Sequence, residues 1–349
     1  MRRPWLSLVA ATAALLITAG STLACGGLIG PNGAVNLLRT TTLAGYHDGV
    51  EHYVTSFEFA GGGEAFGSIV PLPDIPTSVE RGGDWTLQRL IRETDPQPLF
   101  ELAASDSAGR AAEVLLETRI DALDITVLRG GGDEVGLWAK ENGFSLPPDA
   151  PEVLDFYADR SPIFMAARFD ADAAEERGQA LGDGTPVHLT IPTDDPWVPL
   201  RILGLGKQGA ERVEADVYLL TDAEPNLLPG ADAPGLSLDH SAAATELLLD
   251  DLRSDAGMGW VPEEAWLSKV RIDARADELR FDLAIDPTGT AEPSSIDAGL
   301  APFGPTPAPL RGSQLVWLLL VGGVIAVPTL SGFLLTRGGG RRQPPMAGA

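Results

Sequence analysis

The stretches VNLLRTTTLA (residues 35–44), HDG (47–49) and EHYVTSFEF (51–59) place two apolar-rich runs either side of a short polar turn. Phe57 and Phe59 alternate with Ser56 and Glu58, the period of a strand with one buried face, and Asp48-Gly49 is turn chemistry. The reading is a β-hairpin. The run from Phe66 to Val70, which follows Gly61-Gly62-Gly63 and stops at Pro71 and Pro73, extends it to a meander.

Working outward, strands are predicted at Val114–Ile120, Ile125–Leu128, Ile163–Phe169, Val187–Ile191, Leu200–Leu203 and Val213–Thr221, with a closing hairpin made of Ala265–Ile272 and Leu279–Ile285. Short helices fall between them. Asp84 caps one with Leu87, Leu90 and Ile91 on one face. Val135, Trp138 and Ala139 repeat at helical spacing before Asn142-Gly143, and Pro151 opens a third with Val153, Leu154 and Tyr157. Asp172 and Glu175 form a capping box for a helix ending near Gly182. A longer helix is expected from Ser241 to Asp255, with Leu247, Leu248 and Leu252 inward. Hairpin-linked strands with short intervening helices give an α+β class with a mixed or mostly antiparallel sheet. Two strands ending in proline followed by Asp, at Pro71-Asp74 and Pro192-Asp194, leave open two duplicated subdomains.

The ends give an address. Arg2 and Arg3, an apolar run from Trp5 to Ile17 and small residues through Ala24 have the order of a signal peptide over residues 1–24, with an echo of a twin-arginine signal. Cleavage after Ala24 leaves Cys25 first, and lipidation of Cys25 is the alternative fate of the same bond. Leu315 to Leu335 holds 21 residues without a charge, and at about 1.5 Å per residue it spans a hydrocarbon core of about 30 Å. Trp317 stands at one interface. Arg337, Arg341 and Arg342 outweigh Arg311 across the segment, so residues 314–336 are expected to be a single transmembrane helix with residues 337–349 in the cytoplasm. Six prolines between Pro287 and Pro309 mark residues 287–313 as a stalk, leaving residues 25–286 as the extracytoplasmic domain.

Composition narrows the function. The chain has 25 basic and 49 acidic residues, a net charge of −24. Setting aside the five arginines of the signal and tail leaves the exported part near −29, a surface that repels phosphate backbones and excludes nucleic acid as a partner. Cys25 is the only cysteine, so no intrachain disulfide exists and the apolar core must hold the fold.

Chemistry-bearing residues are sparse. His47, Asp48, Glu51 and His52 form one tight histidine and carboxylate cluster. His47 and His52 are the candidate metal ligands, but zinc requires three or four converging groups, no distant third ligand is evident, and surface decoration of the hairpin is the favoured reading. Gly204-Leu205-Gly206-Lys207-Gln208-Gly209 fits G-x-G-x-x-G, but a strand rather than a helix follows, so it reads as a hairpin loop. Asp239-His240-Ser241 holds catalytic residue types in a row that point apart, with Ser241 better placed as a helix cap. No G-x-S-x-G, H-E-x-x-H, S-x-x-K or EF-hand loop is present, and no cofactor is expected. Trp197, in the stiff segment Asp195-Pro196-Trp197-Val198-Pro199, is a candidate contact for a partner or a sugar, with packing as the alternative.

Ala24-Cys25-Gly26-Gly27, the strand from Glu51 to Phe59, the run Ser68-Ile69-Val70-Pro71-Leu72-Pro73 and the run Pro196-Trp197-Val198-Pro199-Leu200-Arg201 resemble the bacterial family catalogued as domain of unknown function 2330, over residues 25 to about 225. The resemblance implies an exported, often membrane-anchored bacterial protein and carries no catalytic residue. The expected role is a binding or structural module of the cell envelope with an unidentified envelope partner; an envelope hydrolase or metal-dependent enzyme is the alternative.

Overall fold

The computed structural model describes residues 27–30, 33–34, 40–58, 66–95, 114–176 and 184–301. Within it the opening hairpin forms from Thr40–His47 and Val50–Glu58. Asp48 and Gly49 both have positive φ, 50° and 78°, as a two-residue turn matched to strand twist requires. Residues 35–39, 59–65 and 177–183, and the side chain of Phe57, lie outside the described residues. So do the signal segment and Cys25, and so does Leu315–Leu335. The described residues belong to one unit, Met1–Phe303, and the second unit, Gly304–Ala349, is not among them.

The hairpin sits inside a seven-stranded sheet ordered Leu236–Ala243, Trp266–Arg275, Arg212–Thr221, Thr40–His47, Val50–Glu58, Gly184–Pro192, Ser78–Arg81. Every pairing is antiparallel except Thr40–His47 with Arg212–Thr221, so the sheet is mixed. A six-stranded antiparallel sheet runs Gly33–Ala34, Gly27–Gly30, Gly67–Pro71, Ile163–Phe169, Leu123–Arg129, Val114–Ile120. The fold class is therefore α+β, with mixed and antiparallel sheets and short helices.

Alternation along the strands separates three cores. Val187, Leu189, Ile191, Val217 and Leu219 of the larger sheet meet Val70, Ile125, Val127, Met165 and Phe169 of the smaller one. The outer face of the larger sheet, with Leu43, Val54, Tyr218 and Leu220, is covered by helix α1 (Thr86–Thr94) and by the last helix of the fold, Glu246–Ser254. The outer face of the smaller sheet, with Ile69, Leu128, Phe164 and Ala166, is covered by α2 (Gly132–Glu141) and α3 (Ala150–Ala158) through Trp138, Leu154 and Tyr157. The layers are helix, sheet, sheet, helix. Each fully buried large side chain contributes about 1.5–3 kcal/mol, which replaces the disulfides the chain cannot make.

Several elements differ from expectation for identifiable reasons. Residues 241–243 belong to the strand Leu236–Ala243, and the helix after it starts at Glu246. Its cap is Thr245, whose hydroxyl accepts from Leu248 N–H at 3.2 Å, and not Ser241. Leu249 takes the inward place expected of Leu247, which is 68% exposed. Leu200–Leu203 is not a strand: a 3-10 turn spans Arg201–Gly204, because Leu200 and Arg201 N–H donate to the Asp282 carboxylate and Ile202 N–H donates to the Tyr157 hydroxyl. The closing hairpin does not form. Trp266–Arg275 pairs inside the large sheet, while Leu283–Asp286 pairs with Trp197–Val198 and Asn226–Leu228 in a separate three-stranded sheet.

The cap of α1 comes from across the molecule. Asp255 accepts from the N–H groups of Asp84 and Trp85 and from the Thr86 hydroxyl, the role expected of Asp84, which instead pairs with Arg81. Gly83 is required there, since a Cβ would fall 2.4 Å from Asp255 Oδ2. Trp85, at the N-cap position of α1, is 36% exposed. The expected start of the stalk is folded onto the domain: Ala298 is buried, Asp282 N–H donates to Ala298 O at 3.0 Å, and Arg160 binds Asp297 O and the Asp282 carboxylate.

Candidate functional site

His47 and His52 lie on the same face of the hairpin but do not converge. His47, beside the turn, hydrogen-bonds through Nδ1 to Asp222 Oδ1 at 2.6 Å, and this bond raises its pKa. His52 turns to His188, whose strand pairs with its own: His52 Nδ1 lies 2.9 Å from His188 Nε2. The Trp260 indole stacks on His52 at 4.1 Å between ring centres and 2° between planes, and it lies over Gly45, where any Cβ would come within 2.4 Å of the ring. Glycine at 45 is thus the seat of the indole. Burial depresses both imidazoles to about 4, with the His188 and His47 charges adding to the effect on His52. The pair is neutral at pH 7. Among the described residues no group of three or more His, Cys, Asp or Glu side chains could hold a metal ion.

Glu51 alternates to the opposite, inter-sheet face and is 0% exposed. Neither carboxyl oxygen has a hydrogen-bonding partner. Burial pushes its pKa up to about 8, opposed by the Trp197 backbone N–H. Trp197 itself is 1% exposed, stacked on Tyr157 with the Arg160 guanidinium 5.0 Å from its ring centre. Its ring is packed inside the fold. Trp197, Tyr157, Arg160 and Asp282 form one enclosed knot, in which the Tyr157 hydroxyl donates to Asp282 at 2.9 Å.

Two concave regions lie elsewhere among the described residues. One, of about 130 Å³, is lined by Asp194, Asp195, Asp286, Glu292 and Asp297 beside the folded segment after residue 286. The other, of about 170 Å³, lies where the α3 N-terminus, the 3-10 turn, the loop Gly204–Gly209 and the turn Ala276–Arg280 meet. That glycine-containing loop links the 3-10 turn to strand Arg212–Thr221, so no helix follows it. Gly206, at φ 72°, donates its N–H to Asp149 Oδ2 at 2.9 Å. His188, Trp260, Lys207 and Arg280 are the site residues that sequence reasoning missed; the alternation of His188 with Val187 and Leu189 was the one available signal.

With this geometry in place, comparison with known proteins is informative about lineage alone. A family model described as an uncharacterized protein conserved in bacteria, domain of unknown function 2330, matches residues 19–225. The chain belongs to this family. The match ends in the middle of the fold, so the strands and helix after residue 225 complete sheets that the family region begins. No curated protein matches the chain. Among solved structures, baculovirus P35 is similar at 9% identity, covering 71% of this chain and 96% of that one, with a TM-score of 0.37. A mutated baculovirus P35 after caspase cleavage gives 8% identity, 72% and 98% coverage and a TM-score of 0.39. Scores this low carry no argument about function.

Proposed function

We propose that the chain is a membrane-tethered, extracytoplasmic module of the bacterial cell envelope that binds a partner or ligand there. In this reading a signal over residues 1–24 is removed and residues 25–301 fold outside. Residues 302–313 then form a shortened stalk, 314–336 cross the membrane and 337–349 lie in the cytoplasm. The observation that carries it is the way the last described segment is fastened. Ala298 is buried, its carbonyl accepts from Asp282, and Arg160 grips both Asp297 O and the Asp282 carboxylate. A domain whose last segment is fastened to its core immediately before a proline-rich run and 21 uncharged residues is built to be held at that end. Breaking such a buried pair is costly, so the fastening resists fraying.

The test is topology in intact cells. Ser295→Cys, on an exposed position, should react with a membrane-impermeant thiol reagent, and Gly348→Cys should not, each measured against the parent chain that carries Cys25. Labelling at position 348 without labelling at 295 overturns the proposal.

A further inference from the structure

In a chain with 49 acidic and 25 basic residues, a basic side chain that lines a concave site without a carboxylate partner is a candidate anion contact. The pocket of about 170 Å³ holds two. Among the described residues, the half-buried Lys207 ammonium makes no ion pair and no side-chain hydrogen bond, and the Arg280 guanidinium bonds only the backbone oxygen of Asp277, at 3.1 Å. A third cation, Arg201, enters the pocket paired with Glu152 at 2.6 Å and packed on Phe156.

The lining carboxylates hold donors, apart from one oxygen. Asp149 accepts from Gly206 N–H, Glu152 from Arg201, and Asp277 from Arg275 through Oδ2, with Oδ1 enclosed and unbonded. Three cations and three carboxylates thus line the pocket, and Lys207 and Arg280 are the two of these cations without a carboxylate partner. Burial lowers the Lys207 pKa, opposed by the Glu211 charge; desolvation of this kind is relieved when an anion arrives.

We propose that this pocket binds a small monocarboxylate, its oxygens taken by Lys207 and Arg280. Three lining carboxylates disfavour a doubly charged phosphate, and the volume admits only a ligand or terminal group of a few heavy atoms. The site stands whether or not the chain is tethered, so a failure here leaves the topology test untouched.

The chain has only three lysines, Lys140, Lys207 and Lys269, which makes the test direct. Reductive methylation of the full chain in micelles with ¹³C-formaldehyde gives one NMR signal per lysine and one for the amino terminus, and Lys207→Arg assigns the pocket signal. Titration with sodium acetate and with glycine should move the Lys207 signal saturably and raise its titration midpoint, leaving Lys140 and Lys269 still. Arg280→Gln, at an exposed position, should weaken acetate about tenfold by removing a charge-assisted contact. A Lys207 signal that does not saturate, or that moves equally with sodium chloride, overturns the site. Tighter binding of inorganic phosphate than of acetate overturns the ligand assignment.

Discussion

Replacing Glu51 by glutamine should change how stability depends on pH by an amount the structure sets. The carboxyl is fully buried on the inter-sheet face without a hydrogen bond, and burial lifts its pKa from 4.5 to about 8. A raised acid favours folding while it is protonated in both states, so its contribution is complete below pH 4.5 and is lost as pH rises through 8. At about 1.36 kcal/mol per pH unit, the loss for wild type reaches about 3 kcal/mol by pH 7 and about 5 kcal/mol above pH 8. Glutamine cannot ionise, and whatever its amide costs in the same place is independent of pH. The difference in unfolding free energy between variant and wild type should therefore move toward the variant by about 3 kcal/mol between pH 4.5 and 7. With a urea slope of about 3 kcal/mol per molar, that is about 1 M in midpoint. Tryptophan fluorescence follows unfolding in urea at pH 4.5, 6, 7 and 8.5, and every other titrating group cancels in the difference. Parallel curves for the two proteins across that range refute the reasoning.

His188, depressed from 6.5 to about 4, has the opposite sign: its contribution is present above pH 6.5 and is lost as pH falls toward 4, so His188→Gln should flatten about 3 kcal/mol of acid lability in the same assay. Gly45→Ala should unseat the Trp260 indole, cost about 1–3 kcal/mol, and return the His52 pKa toward its ordinary value by NMR titration. Asp255→Ala leaves three backbone N–H groups, of Asp84, Trp85 and Ala256, and a hydroxyl without this acceptor, and should lower stability by about 2–3 kcal/mol, with amide exchange fastest at the start of α1. The intact mass of the mature amino-terminal peptide should match cleavage after Ala24 with an unmodified Cys25; an added diacylglyceryl mass refutes this.

Period-two and period-3.6 patterns in the sequence determined the opening hairpin, the α2 and α3 faces and the α+β class, because these depend on neighbours a few residues apart. The turn at Asp48-Gly49 and the inward Trp138, Leu154 and Tyr157 were legible for that reason. Partnerships across long separations were not. The cap of α1 lies some 170 residues away at Asp255, His52 pairs with His188 instead of His47, and the Leu200–Leu203 run becomes a 3-10 turn because Asp282 supplies its acceptors. Trp197, in its stiff proline-flanked segment, could be read as packing or as a partner contact, and only the tertiary structure places the ring between Tyr157 and Arg160. The pocket around Lys207 and Arg280 draws on three separate segments. Sequence records which side chains alternate and which residues break a strand, since those are local costs of backbone geometry; which polar group satisfies which buried donor is decided only when the layers close and water is excluded.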